Sequence, residues 1–169
     1  MELTRWDVPK RSAGILLYRT RPGGAVEVLL VHPGGPLWAR KDLGAWSIPK
    51  GEYQEGDDPL RAALREFEEE LGVRPPAPLR RLVELGTVRQ RGGKQLIAWA
   101  AEGDLDLEAA GAPSSNTFRM EWPPRSGQIR EFPEVDRAEW FDPPAARAKL
   151  NSAQVELLDR LLAVLAPGA

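Results

Sequence analysis

The chain is expected to be an α/β protein, and three observations carry that expectation. Strand-like apolar runs recur along it, at Ser12–Arg19, Val26–His32 and Gln95–Ala101. They are interleaved with two stretches of helical spacing, Asp58–Leu71 and Asn151–Leu165. At 169 residues, 42% hydrophobic and 28% charged, the composition is that of a soluble globular protein with a real core.

The elements follow in order. Ser12–Arg19 is a strand, and the P-G-G of the segment 21–25 is a hairpin-type turn. Val26–His32 is nearly continuous in apolar residues, so it belongs in the middle of a sheet. Residues 33–44 form a loop. Trp46–Ile48 is a short strand ended by Pro49-Lys50-Gly51. Asp58 is an N-cap with Pro59 at the first helical position, and Gly72 is the C-terminal stop. Leu60, Leu64, Phe67 and Leu71 form the buried stripe of that helix. Pro75 to Pro78 is a stiff connector, and Leu79–Val88 and Gln95–Ala101 are strands around an R-Q-R-G-G-K turn whose charges face water. Asp104 to Val135 is a long connection, rich in Gly, Pro and Ser, of a length that usually carries binding. Glu139–Phe141 is a last short strand. Asn151 caps a final helix with an apolar face of Val155, Leu158, Leu161, Leu162 and Leu165. With no internal repeat, residues 1–169 read as one domain.

Bulk properties exclude several functions. The net charge of −2 and pI near 5.6 provide no positive field for nucleic acid. The absence of cysteine removes disulfides, thiolate zinc sites and a cysteine nucleophile, and fits a reducing compartment. Met1 to Lys10 lacks the apolar core of a signal peptide, and no apolar run approaches the ~18 residues of a membrane span. A cytoplasmic monomer or homodimer acting on a small molecule is the expectation.

The chemistry is concentrated in Gly51–Val73, G-E-Y-Q-E-G-D-D-P-L-R-A-A-L-R-E-F-E-E-E-L-G-V. Glu66, Glu69 and Glu70 stand at i, i+3 and i+4, so a helix presents them on one side, while Glu68 turns to solvent. Like charges this close repel, and a divalent cation reverses the penalty. Carboxylate oxygens suit Mg²⁺ or Mn²⁺.

These residues resemble the signature of the Nudix (MutT-like) hydrolases, G-x5-E-x7-R-E-U-x-E-E-x-G-U, where U is a bulky apolar residue. Gly51, Arg65, Glu66, Phe67, Glu69, Glu70, Gly72 and Val73 fit, and Asp57 replaces the first acid. The resemblance implies an α/β/α sandwich around a mixed sheet. It also implies hydrolysis of a nucleoside diphosphate linked to another group, with Glu66, Glu69, Glu70 and the Lys50 carbonyl as metal ligands. In the family the first acid mostly supports the loop–helix architecture, which is the role implied for Asp57. Arg65, one helical turn before Glu69, orients the acids. The family often adds an acid six residues before the Trp of the last strand, here Glu134 before Trp140; it is a metal ligand or the general base. Glu66 is its rival as base, and Glu131 is the fallback.

A looser resemblance, through Lys94–Glu102 and W-S-I-P-K-G, is to the asymmetric diadenosine tetraphosphate hydrolase branch. A polyphosphate needs further cations, with His32, Arg40, Lys41 and Lys50 as candidates. A base needs an aromatic platform, with Trp38, Trp46, Phe118 and Trp122 as candidates. The alternatives are pyrophosphate removal from a nucleoside triphosphate or an RNA 5′ end, and a non-catalytic nucleotide sensor.

Overall fold

The computed structural model describes residues 9–76, 80–111 and 113–167. Its main strands are β1 (Arg11–Thr20), β2 (Val26–Pro33), β3 (Lys50–Glu52), β4 (Arg80–Arg89), β5 (Gln95–Glu102) and β8 (Val135–Phe141), in a sheet of order β4-β5-β1-β2-β8 with β3 also paired to β1. β1 and β5 run parallel and every other pairing is antiparallel, so the sheet is mixed.

β1 explains the layering. It is apolar on both faces, as a central strand must be when both sides are covered. Ala13, Ile15 and Leu17 face one core, closed by Ala63, Phe67 and Leu71 of α1 (Pro59–Leu71). Leu16 and Tyr18 face the other, closed by Leu157, Leu158 and Leu161 of α4 (Val155–Leu165). The result is the expected α/β/α sandwich. Phe67 is fully buried at the centre of the first core, where truncation to Ala costs about 3–5 kcal/mol.

α1 follows its local signals. The Asp58 side chain accepts from the Leu60 N–H at 3.0 Å, and Pro59 occupies the first turn. Gly72 takes φ of 74° and donates its N–H to the Glu68 carbonyl at 2.8 Å, closing the helix in the left-handed conformation that favours glycine.

Several expectations need correction. Trp46–Ile48 forms no strand ladder; Ser47 bridges Val31, and Trp46 bridges Leu150. The ladder forms instead at Lys50–Glu52. Gly14 carries no Cβ, which lets the Pro49 carbonyl approach and accept from the Ile15 N–H at 3.1 Å. The 104–135 segment holds a short helix, α2 (Leu107–Ala110), and a hairpin of β6 (Thr117–Glu121) and β7 (Ile129–Pro133). β8 begins four residues before Glu139 because it pairs along β2 as far as Pro33. A further helix, α3 (Pro143–Lys149), is capped by Asp142. Asn151 caps a 3-10 turn, Ser152–Gln154, and α4 begins after it. Residues 1–8, and residues 77–79 of the expected connector and strand, lie outside the described residues. Among the described residues no helix is long and apolar enough to cross a membrane.

Candidate active site

Three parts of the chain bring carboxylates together: the start of β3, the inward side of α1, and the junction of β7 with β8. α1 packs across β1 and β3, so its acidic side meets the Lys50–Gly51 backbone. Gly51 permits this approach. A Cβ there would fall far inside contact with the Glu66 carboxyl, so only glycine leaves room for that group. The Glu70 Oε2 accepts from the Lys50 N–H at 3.3 Å. Glu134 is fixed through its main chain: its N–H donates to the Asn116 carbonyl, and its carbonyl accepts from the Gly34 N–H, both at 2.9 Å.

The electrostatics match a crowded acidic site. Burial pushes the Glu70 carboxyl up to about 8; Lys50 opposes the shift, and the charges of Glu66 and Glu134 add to it. Glu66 is also pushed up, first by burial and then by Glu69, with Arg65 opposing. Glu134 is exposed overall, yet partial desolvation and then Glu69 raise it as well. Burial lowers the Lys50 ammonium, and Glu70 is the main group holding it up. Arg65 lies 3.5 Å from Glu66 Oε1 and 3.8 Å from Glu69 Oε1, so it spans two acids instead of forking on one.

Glu66 thus feels the charge of Glu69, Glu70 that of Glu66 and Glu134, and Glu134 that of Glu69, which is the situation a hard dication relieves. Among the described residues no three acidic or imidazole side chains close tightly enough to chelate an ion as they stand. The donors fit Mg²⁺ in type, and the arrangement is an open one.

Two small cavities adjoin the acids. One, about 190 Å³, is lined by Lys50, Glu70, Gln90, Glu134, Asn151 and Gln154, among others. The second, about 200 Å³, is bounded by Leu37, Trp38, Phe118 and Met120. Pro33, Trp38 and Glu134 line both, so the two are contiguous. A larger cavity of about 520 Å³ lies between the end of α1, α2 and β8 and touches none of the four acids.

Other expected residues fall into place unevenly. Trp38 and Phe118 line the second cavity, whereas Trp122 lines neither. Trp46 is 1% exposed, packed edge-on to His32 and Phe141, with its indole N–H donated to Asp42; it is a core residue, not a substrate contact. His32 is likewise fully buried. Its Nδ1 meets Asp136 Oδ1 at 2.8 Å and its Nε2 meets the Lys41 carbonyl at 2.6 Å, so neither nitrogen is left for a substrate. Arg40 is exposed and lines neither cavity. Lys41 lies 4.9 Å over the Trp38 ring. Glu68 pairs with Arg74 at the surface. Asp57 accepts from the Gln54 N–H in the turn before α1. Glu131 takes a hydrogen bond from Thr117 within the hairpin. Gln90, Asn151, Gln154 and Met120 were missed; nothing in their local sequence marks them, because chain segments far apart bring them to the site.

Comparison with known proteins gives the family. The NUDIX domain profile matches residues 8–161. An asymmetrical bis(5'-nucleosyl)-tetraphosphatase of Sus scrofa is 28% identical over 74% of this chain and 87% of its own length. An RNA pyrophosphohydrolase of Rhodospirillum rubrum is 38% identical, over 39% of each chain. The crystal structure of a C. elegans Ap4A hydrolase binary complex superposes with a TM-score of 0.62 at 21% identity, covering 91% of this chain and 97% of that one. The chain belongs to the NUDIX domain family, as a Nudix hydrolase.

Proposed function

We propose that this enzyme hydrolyses the diphosphate linkage of a nucleoside diphosphate derivative with Mg²⁺, for which Mn²⁺ can substitute, and that a dinucleoside polyphosphate is a substrate. The observation that carries the proposal is the gathering of Glu66, Glu69 and Glu70 of α1 at the Lys50–Gly51 backbone, next to a cavity that Glu70 and Glu134 line and that continues into an aromatic seat. Those carboxylates and the Lys50 carbonyl would hold Mg²⁺. Bound there, the ion would neutralise charge on the anhydride and would lower the pKa of water.

The protein's own groups do the rest. Gly51 and the Lys50 N–H fix Glu66 and Glu70 from behind. Arg65 keeps Glu66 and Glu69 turned to the same side. Glu134, which lines both cavities, either completes that ligand set or takes the proton of the attacking water, with Glu66 as its rival for the second role. Trp38 and Phe118 hold the base by stacking. Lys50, and Lys41 through its place over Trp38, meet substrate oxygens.

The Sus scrofa relative, matched over most of both chains, supports the dinucleoside polyphosphate reading. The RNA pyrophosphohydrolase similarity spans a smaller part of this chain. The test is a panel of dinucleoside polyphosphates, nucleoside diphosphate sugars and nucleoside triphosphates, with products identified in ¹⁸O-labelled water. Label on a product phosphate with Mg²⁺ present supports the reading. Binding without any turnover favours a sensor.

A further inference from the structure

We infer that Gln90 and Asn151 form a neutral-donor subsite for an uncharged, hydrogen-bond-accepting group that the substrate carries beyond its diphosphate. The inference rests on the proposed diphosphate hydrolysis and names what must lie beside the cleaved linkage.

A relay of hydrogen bonds engages the oxygen of each amide. The Ile48 N–H donates to Gln154 Oε1 at 2.9 Å, so this fully buried glutamine turns its Nε2 the other way. The Ser47 hydroxyl donates to the Ile48 carbonyl at 2.7 Å, which leaves Ser47 Oγ as an acceptor, and Gln154 Nε2 donates to it at 2.9 Å. The second Nε2 hydrogen points to Gln90 Oε1 at 3.5 Å. With its oxygen engaged, Gln90 retains its amide N–H₂. Asn151 arrives at the same state by a separate route, because its Oδ1 accepts from the Ala153 N–H at 3.0 Å. The Ile48 and Ala153 N–H groups thus leave the N–H₂ ends of two side-chain amides as donors, on two residues that line one cavity.

Both residues are neutral, and they share the cavity lining with Glu70 and Glu134. Lys50 is the one cation among the described lining residues. A terminal phosphate calls for charge-assisted donors. Neutral amides suit hydroxyls, a ring oxygen, or the carbonyl and ring-nitrogen acceptors of a base. A sugar or a second nucleoside supplies such groups; the terminal phosphate of a nucleoside triphosphate does not.

The test uses Gln90→Met, which keeps the length without a donor, and Asn151→Ser, which keeps a capping oxygen and retracts the amide. Neither adds charge to the acidic site. KM is measured for ADP-ribose, diadenosine tetraphosphate and ATP. Loss of one hydrogen bond should raise KM relative to that for ATP by roughly tenfold. A rise for ADP-ribose alone supports a sugar subsite, a rise for the dinucleotide alone a second-nucleoside subsite, and a rise for both a subsite open to either. A ratio unchanged in both variants overturns the inference. If no compound is hydrolysed, the proposed function fails, and the same Kd ratios are read by calorimetry with Mg²⁺. A tenfold change then still supports the subsite, and no change overturns it.

Discussion

The Glu66 carboxyl lies directly against the Cα of Gly51, in space that any other residue's Cβ would occupy. The first glycine of the signature therefore sets where its central acid sits. Gly51→Ala is expected to displace that carboxyl and lower kcat by on the order of 10²-fold, the scale of a misplaced catalytic group. The check is kcat alongside thermal melting. A variant with native kcat would mean that the placement of Glu66 does not matter.

His32 joins the loop carrying Trp38 to the sheet edge. Its Nε2 donates to the Lys41 carbonyl, which can only accept, and its Nδ1 meets Asp136 on β8. His32→Leu leaves both partners unmatched. It is expected to cost about 2 kcal/mol by urea denaturation and to raise KM more than it lowers kcat. An equal fall in kcat without a KM change would place His32 in the chemistry instead.

How much of this was legible before the fold was known depends on where each signal lies. α1 was readable in full because Asp58, Pro59, the apolar stripe and Gly72 are all local. Glu134, which lines both cavities, is a candidate through its spacing from Trp140, a relation borrowed from the family resemblance. His32 and Trp46 were misjudged from residue type. Their burial depends on β8 pairing with β2, which sets Asp136 against a histidine 104 residues earlier in the chain. Gln90 and Asn151 meet only because the end of β4 and the approach to α4 converge. α3 had local signals, an Asp followed by two prolines, but the sequence reading assigned no element to that stretch.

The raised carboxyl of Glu70 gives a pH dependence of definite sign. Its folded pKa, about 8, lies above the ordinary 4.5. Between those values the folded chain holds a proton that the unfolded chain has released. Without metal, stability is therefore greatest below about 4.5 and falls as pH rises through about 8. Mg²⁺ needs the deprotonated carboxylate, so its stabilising effect grows over the same range. Thermal melts with and without Mg²⁺ should show a larger shift at pH 9 than at pH 6. Equal shifts would take Glu70 out of the ligand set.

Trp38 and Phe118 bound the cavity next to Glu134. Replacing either with Ala is expected to raise KM roughly tenfold, since one stacking contact is worth about 1–3 kcal/mol, while kcat changes little. Steady-state kinetics on one nucleotide substrate decides it. Unchanged KM in both variants would move the base elsewhere.

The most direct measurement is hydrolysis of diadenosine tetraphosphate and ADP-ribose by the native chain and by Glu69→Gln, each titrated with Mg²⁺. The expected result is metal-dependent cleavage by the native chain and a loss of on the order of 10²-fold or more in the variant. Turnover that ignores Mg²⁺, or a variant as active as the native chain, would contradict the claim that these carboxylates gather the cations that open the anhydride to water.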